Sequence, residues 1–233
     1  MSMLATTWTT FSDLLLSPQA AALPVPMLMR VALHVGWALV LGWGMLALMR
    51  RCGVQRTLRL ALLAVVMLWA LLPGATSPAY WLGLAFQTPS LMTMLICSAG
   101  LWQGLCQPEP TLLLDKRTFE RWSLLGIALG WLLLLDTLAL LPGSLYRWGF
   151  SPIATLLVAA CAGVLWSTAS FEAENKHHWT AGLPWLAVAL FVLTRLPNGN
   201  VWDALIDPWL WAVLQLIWIG SGVRWLRRLT APV

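Results

Sequence analysis

Residues 27–49 read MLMRVALHVGWALVLGWGMLALM, an apolar run with a single charge at Arg30, and Arg50 and Arg51 follow at once. A helix crossing the hydrocarbon layer of a membrane needs about 20 mostly apolar residues, and long basic side chains at its ends reach the headgroups. This run satisfies both conditions. Six further stretches qualify or come close: Leu58 to Leu72, Ala79 to Leu105, Trp122 to Leu141, Pro152 to Ala169, Trp179 to Leu196 and Pro208 to Trp225. The expected fold is all-α, a polytopic integral membrane helix bundle of about seven transmembrane helices.

Composition supports that expectation. Hydrophobic residues make up 60% of the 233 and charged residues 10%, with a mean hydropathy of +0.77, which excludes a disordered chain and an ordinary soluble domain. The four cysteines form no CxxC pair, and two of them lie inside apolar runs, so no disulfide framework is expected. The net charge of +5 comes from basic residues at the ends of apolar segments, with no separate basic face carrying interleaved aromatics. Membrane orientation accounts for it better than phosphate binding, and no nucleic acid partner is expected.

Orientation follows from counting Lys and Arg by loop. Arg50, Arg51, Arg56, Arg59, Lys116, Arg117, Arg121, Lys176, Arg224, Arg227 and Arg228 fall on one side, and only Arg30, Arg147 and Arg195 on the other. The positive-inside rule makes the first side cytoplasmic, with the N-terminus outside and the C-terminus inside. The chain then divides into an outer interfacial segment (1–26), a single transmembrane domain (27–226) and a cytoplasmic tail (227–233). The expected location is the cytoplasmic (inner) membrane, with multiple passes and the lipid bilayer as the first partner.

The outer turns share a punctuation. Helices are expected to stop at Leu72-Pro73-Gly74, Leu141-Pro142-Gly143 and Leu196-Pro197, and to restart at Ser77-Pro78, Ser151-Pro152 and Asp207-Pro208. Proline and glycine beyond a helix end stop it, and Ser or Asp before a first-turn proline starts the next. One leading helix plus three helical hairpins is the arrangement this implies, either by true repetition or by convergent turn chemistry. Gln87, Thr88, Pro89 and Ser90 interrupt the third span. The interruption is either a break at membrane depth or, the preferred reading, the end of a short interfacial helix over 79–86 before a span starting at Pro89.

Four polar side chains project into the outer half of the spans: His34, Gln87, Asp136 and Arg195. A charged Asp within the membrane costs several kcal/mol, so Asp136 must face the interior, pair with a base such as His34 or Arg195, or be protonated. The same residues fit two readings, a polar tie between helices or a ligand cluster. Gly100 and Gly104 on the third span and Gly126 and Gly130 on the fourth give small residues one turn apart, expected to pack those two loop-joined spans together.

Only His34 is embedded, so a bis-histidine haem lacks its second ligand, and both lysines are in loops. Glu172, Glu174, His177 and His178 lack a zinc spacing, and no HExxH, GxSxG or P-loop is present. No cofactor, metal site or catalytic residue is expected. The leading functional expectation is a non-catalytic integral membrane subunit or assembly partner of a larger complex, bound to another membrane protein through the loop around 107–121. The alternatives are a small transporter with an outward-facing polar cavity around Asp136, and a membrane enzyme acting on a lipid or quinone with His34 and Asp136 as acid and base.

Overall fold

The computed structural model describes residues 23–106, 116–172 and 178–229, and within them the regular structure is entirely helical. The expectations for the N-terminal segment over 1–22, for most of the 107–121 loop, for Glu174 and His177, and for residues 230–233 lie outside the described residues. The helices are α1 (Pro26–Arg51), α2 (Arg56–Leu71), α3 (Pro78–Phe86), α4 (Leu91–Cys106), α5 (Lys116–Thr137), α6 (Leu145–Trp148), α7 (Pro152–Glu172), α8 (His178–Ala181), α9 (Leu183–Thr194), α10 (Val201–Leu205) and α11 (Pro208–Leu229). Two of them, α1 and residues 117–137 of α5, are long and apolar enough to cross a membrane, while α4 and α9 are shorter apolar helices.

The restart signals act as the sequence implies. The Ser77 hydroxyl accepts from Ala79 N–H at the head of α3 and donates to Ala70 O, closing the turn. Ser151 caps α7 through Ala154 N–H, and Asp207 caps α11 through Leu210 N–H at 2.8 Å. The stop signals act differently. Two helices end earlier than their Pro-Gly or Pro-Asn-Gly sequences: α5 at Thr137, two residues before the left-handed Ala139, and α9 at Thr194, with Arg195 left-handed at φ 58°. Gly53 ends α1 at φ 66°, with the Gly53 and Val54 N–H groups donating back to Arg50 O and Met49 O.

The third apolar stretch is divided. α3 ends at Gln87, whose φ of 63° turns the chain out of the helix, and α4 begins after Ser90. The division into a short helix and a second helix matches the preferred reading, with the second helix starting at Leu91 rather than Pro89. The carbonyl of Gln87 accepts a 2.9 Å bond from Trp37 Nε1 of α1, so the break is tied to its neighbour.

Packing places α1 at the hub of one half. Gly36 faces Pro89 and Met94, Gly100 faces Trp43, and Gly104 faces Leu46, so α1 and α4 run parallel. α2 returns between them in direction through the short turn at 52–55, with Leu63 and Met67 against Gly42. α5 and α11 are antiparallel: Trp218 Nε1 donates to Ser123 Oγ and Trp211 Nε1 to Ile127 O. α9 joins the halves by packing on α4, α7 and α10.

The glycine faces therefore correct one expectation. Gly100 and Gly104 do not seat against Gly126 and Gly130 across the 107–115 connection. A Cβ on Gly100 would stand 2.3 Å from Trp43 Nε1 of α1, and one on Gly130 would stand 2.2 Å from Trp211 Cδ1 of α11. Gly100 and Gly130 are covered by indoles, and Gly104 and Gly126 by Leu46 and Leu214, all from helices other than the loop-joined neighbour. Close approach is the purpose in both readings, but the partner is chosen by which bulky side chain fills the hollow, not by loop connection.

Small polar side chains share the interior with an apolar core, while many large apolar side chains lie on the outside. The largest side chains with almost no exposed surface are Phe191 and Val201, followed by Asn200, Thr180 and the serines Ser77, Ser90, Ser123 and Ser151. Leu193 is 80% exposed, and Trp102 and Leu84 are each 67% exposed. Water-soluble monomers seldom leave so much large apolar surface uncovered.

Candidate functional site

The polar groups concentrate where α3, α4, α6, α10 and α11 begin, and they form two junctions. At the first, Asp207 Oδ2 accepts from Ser90 N–H at 2.8 Å and from Thr93 Oγ1–H at 2.6 Å, while its Oδ1 caps α11. Ser90 Oγ in turn accepts from Thr93 N–H at 3.0 Å and donates to Thr93 Oγ1. One carboxylate thus lies at the N-termini of two helices, where backbone N–H groups and both helix dipoles favour negative charge. Phe86 and Trp209 meet edge to face at 4.7 Å beside it.

The second junction lies over α6 and α10. Tyr146 O–H donates to Asp203 Oδ2 at 2.7 Å, and Asn198 Nδ2 donates to the same oxygen. Asn200, fully buried, caps α10 through Trp202 N–H and donates to Tyr146 O, while Trp202 Nε1 reaches Leu145 O. Burial, with the Asp203 hydrogen bond second, pushes the Tyr146 phenol up to about 12. The phenol therefore stays a neutral donor to Asp203 at any physiological pH.

The four residues singled out from sequence are not joined to one another by hydrogen bonds. His34 Nδ1 lies 2.9 Å from Arg30 O, one turn back on its own helix, and its Nε2 is buried without a partner. The Gln87 side chain is exposed, and its backbone carbonyl makes the contact with Trp37. Asp136 Oδ2 accepts from Tyr146 N–H at 2.7 Å, bridging the end of α5 to the start of α6. Arg195 stacks its guanidinium over the buried Phe191 ring at 5.4 Å. All but His34 serve at a helix boundary.

Sequence reasoning missed the hydrogen-bonding roles of Tyr146, Asn198, Asn200 and Thr93, read Ser90 only as part of the helix interruption, and missed the cross-helix part of Asp207. Asp207 was legible as a helix start. Its bond to Thr93, 114 positions away, had no local signal. Among the described residues no three His, Cys, Asp or Glu side chains group to hold a metal ion. These junctions fasten helix ends, and their acceptors are occupied by the chain's own donors.

Comparison with protein-family models, curated proteins and solved structures gives no match.

Proposed function

We propose that this chain is a non-catalytic, multi-pass subunit or assembly partner of a larger complex in the cytoplasmic membrane, built from one leading helix and three hairpins. The observation that carries this reading is the division of labour among side chains. Asp136, Asp203 and Asp207 are spent on capping and tying helix ends, while large leucines and tryptophans face outward. A chain that keeps its polar groups for its own joints and turns apolar surface to its surroundings suits lipid and neighbouring helices.

Direction supports the seven-pass count. The parallel α1 and α4, and the antiparallel α5 and α11, fit alternating passes with α4 as the third pass and α3 as the short helix ahead of it. Arg50, Arg51 and Arg59 then share one end with the C-terminus of α4, and the capped turns share the other. The arginine-bearing end is assigned to the cytoplasm and the N-terminus to the outside.

For a partner, α7 offers Ala160, Gly163 and Ser167 in a shallow cavity of about 720 Å³ walled by Trp185. Small residues on an exposed face let another helix approach closely, so a transmembrane helix of a partner protein fits there. The test is extraction of the tagged full chain into native lipid particles, with mass spectrometry of what is retained. A stoichiometric protein partner is expected, lost from the Ala160→Leu variant. A lone, monodisperse chain would contradict the proposal.

One observation favours the transporter alternative: the buried His34 Nε2 has no hydrogen-bond partner, a polar atom left over for a ligand. Against it, the Asp136 carboxylate is engaged by Tyr146 N–H. Proton-coupled uptake in vesicles that disappears in His34→Ala would support transport.

A further inference from the structure

A second cavity opens at the opposite end from the capped turns, between α1, α2 and α4, with a volume of about 600 Å³. Arg50 and Arg51 come from the last turn of α1, and Arg59 from the first turn of α2. Trp43, Leu46 and Gly100 form its apolar wall, and among the described residues none that lines it is acidic. The size falls within the usual range for small-molecule sites, roughly 300–1,000 Å³.

The arginines are held in different ways. Arg50 Nη2 donates to Gly104 O at 2.7 Å, which anchors it to the C-terminal end of α4. Arg59 Nη2 donates to Val54 O at 2.9 Å, but its Nε is buried with no hydrogen-bond acceptor. Arg51 is exposed at the rim. A buried guanidinium donor without an acceptor is costly, and the Arg59 and Arg51 guanidiniums on one cavity favour an anion between them. Guanidinium forks match phosphate oxygens in geometry and charge.

We propose that this crevice binds the phosphate of an anionic phospholipid, with Arg51 and Arg59 on the headgroup and an acyl chain along Trp43, Leu46 and Gly100. The apolar wall is what selects a lipid over free phosphate, since a small inorganic anion gains nothing from an indole and a leucine. Basic pockets between membrane helices on the cytoplasmic side recognise acidic headgroups in this way. The inference rests on the membrane reading and on the assignment of this end to the cytoplasm.

The test uses the full chain in a neutral detergent, first stripped of lipid, then offered phosphatidylglycerol, phosphatidylcholine or inorganic phosphate. Native mass spectrometry reads retained lipid, and the thermal midpoint reads protection. Phosphatidylglycerol is expected to be retained at one per chain and to raise the midpoint, with phosphatidylcholine at least tenfold weaker and inorganic phosphate without effect. R51Q/R59Q is expected to lose tenfold or more of that retention, and R224Q, at the same end but outside the crevice, to lose none. Because R59Q also removes the bond to Val54 O, R51K/R59K is measured beside it: charge without the fork should give intermediate retention. Equal retention of both lipids, protection by inorganic phosphate alone, or unchanged retention in both double variants would overturn the proposal. A chain that fails to enter membranes at all defeats the membrane reading instead, and cell fractionation distinguishes that case.

Discussion

Replacing Asp207 by Ala removes one carboxylate and strands three donors: Ser90 N–H at 2.8 Å, Thr93 Oγ1–H at 2.6 Å and Leu210 N–H at 2.8 Å. Hydrogen bonds to a charged acceptor contribute about 1.5–3 kcal/mol each, but their contributions are not independent. Thr93 Oγ1 still receives the Ser90 hydroxyl, and Asp207 is half-buried, so water reaches part of the junction. Loss of an N-cap alone costs about 1 kcal/mol. Together these give about 3–4 kcal/mol for Asp207→Ala. Asp207→Asn keeps an acceptor for one helix but aims an amide N–H₂ at a donor of the other, at about 2 kcal/mol. The reference is Ser144→Ala, whose hydroxyl accepts a single exposed 3.3 Å bond from Arg147 N–H and whose loss, a weak cap, should cost about 0.5–1 kcal/mol. Reversible unfolding in bicelles measures all three. If Asp207→Ala costs no more than Ser144→Ala, the α4–α11 junction is not holding these helices and the reasoning fails.

Gly100→Leu and Gly130→Leu should each destabilise by about 1–3 kcal/mol or more, because their hollows are filled by the Trp43 and Trp211 indoles. Gly44→Ala, with nothing within 4 Å of the added carbon, should be neutral or slightly stabilising in the same unfolding assay. The Tyr146 phenol, raised from 10 to about 12 by burial and by Asp203, contributes stability that is complete below pH 10 and is lost as pH rises through 12. The ultraviolet phenolate difference between the parent and Tyr146→Phe reads this directly, and ionisation near pH 10 would count against the junction. Asp136→Asn should fold normally and lose about 1 kcal/mol, the value of a helix cap; a loss above about 3 kcal/mol would mean that Asp136 has a buried charged partner instead.

What sequence revealed was local chemistry. Ser77, Ser151 and Asp207 each precede a proline at the first helical position, and cap and proline act within one turn, so all three starts were readable. The helix ends were less so, because Ala139 and Arg195 take left-handed conformations that their residue types do not announce. The polar cluster was inferred from depth along each helix, which fixes height but not the direction in which a side chain points. His34, Gln87, Asp136 and Arg195 are expected in the same outer half, yet their contacts run to four different places. The glycine faces were readable as packing surfaces, while their true partners Trp43 and Trp211 belong to the tertiary arrangement alone.

The passage of the chain through the membrane is tested most directly by labelling single cysteines with an impermeant maleimide, in intact cells and in inverted vesicles. The exposed native Cys52, in the α1–α2 turn, and Cys106, at the end of α4, should react only in inverted vesicles. Cysteines placed at Ala75 and Gly143, on the capped turns, should react only in intact cells. Reaction of Cys52 and the Gly143 position from the same side would contradict the alternating passes on which the account depends.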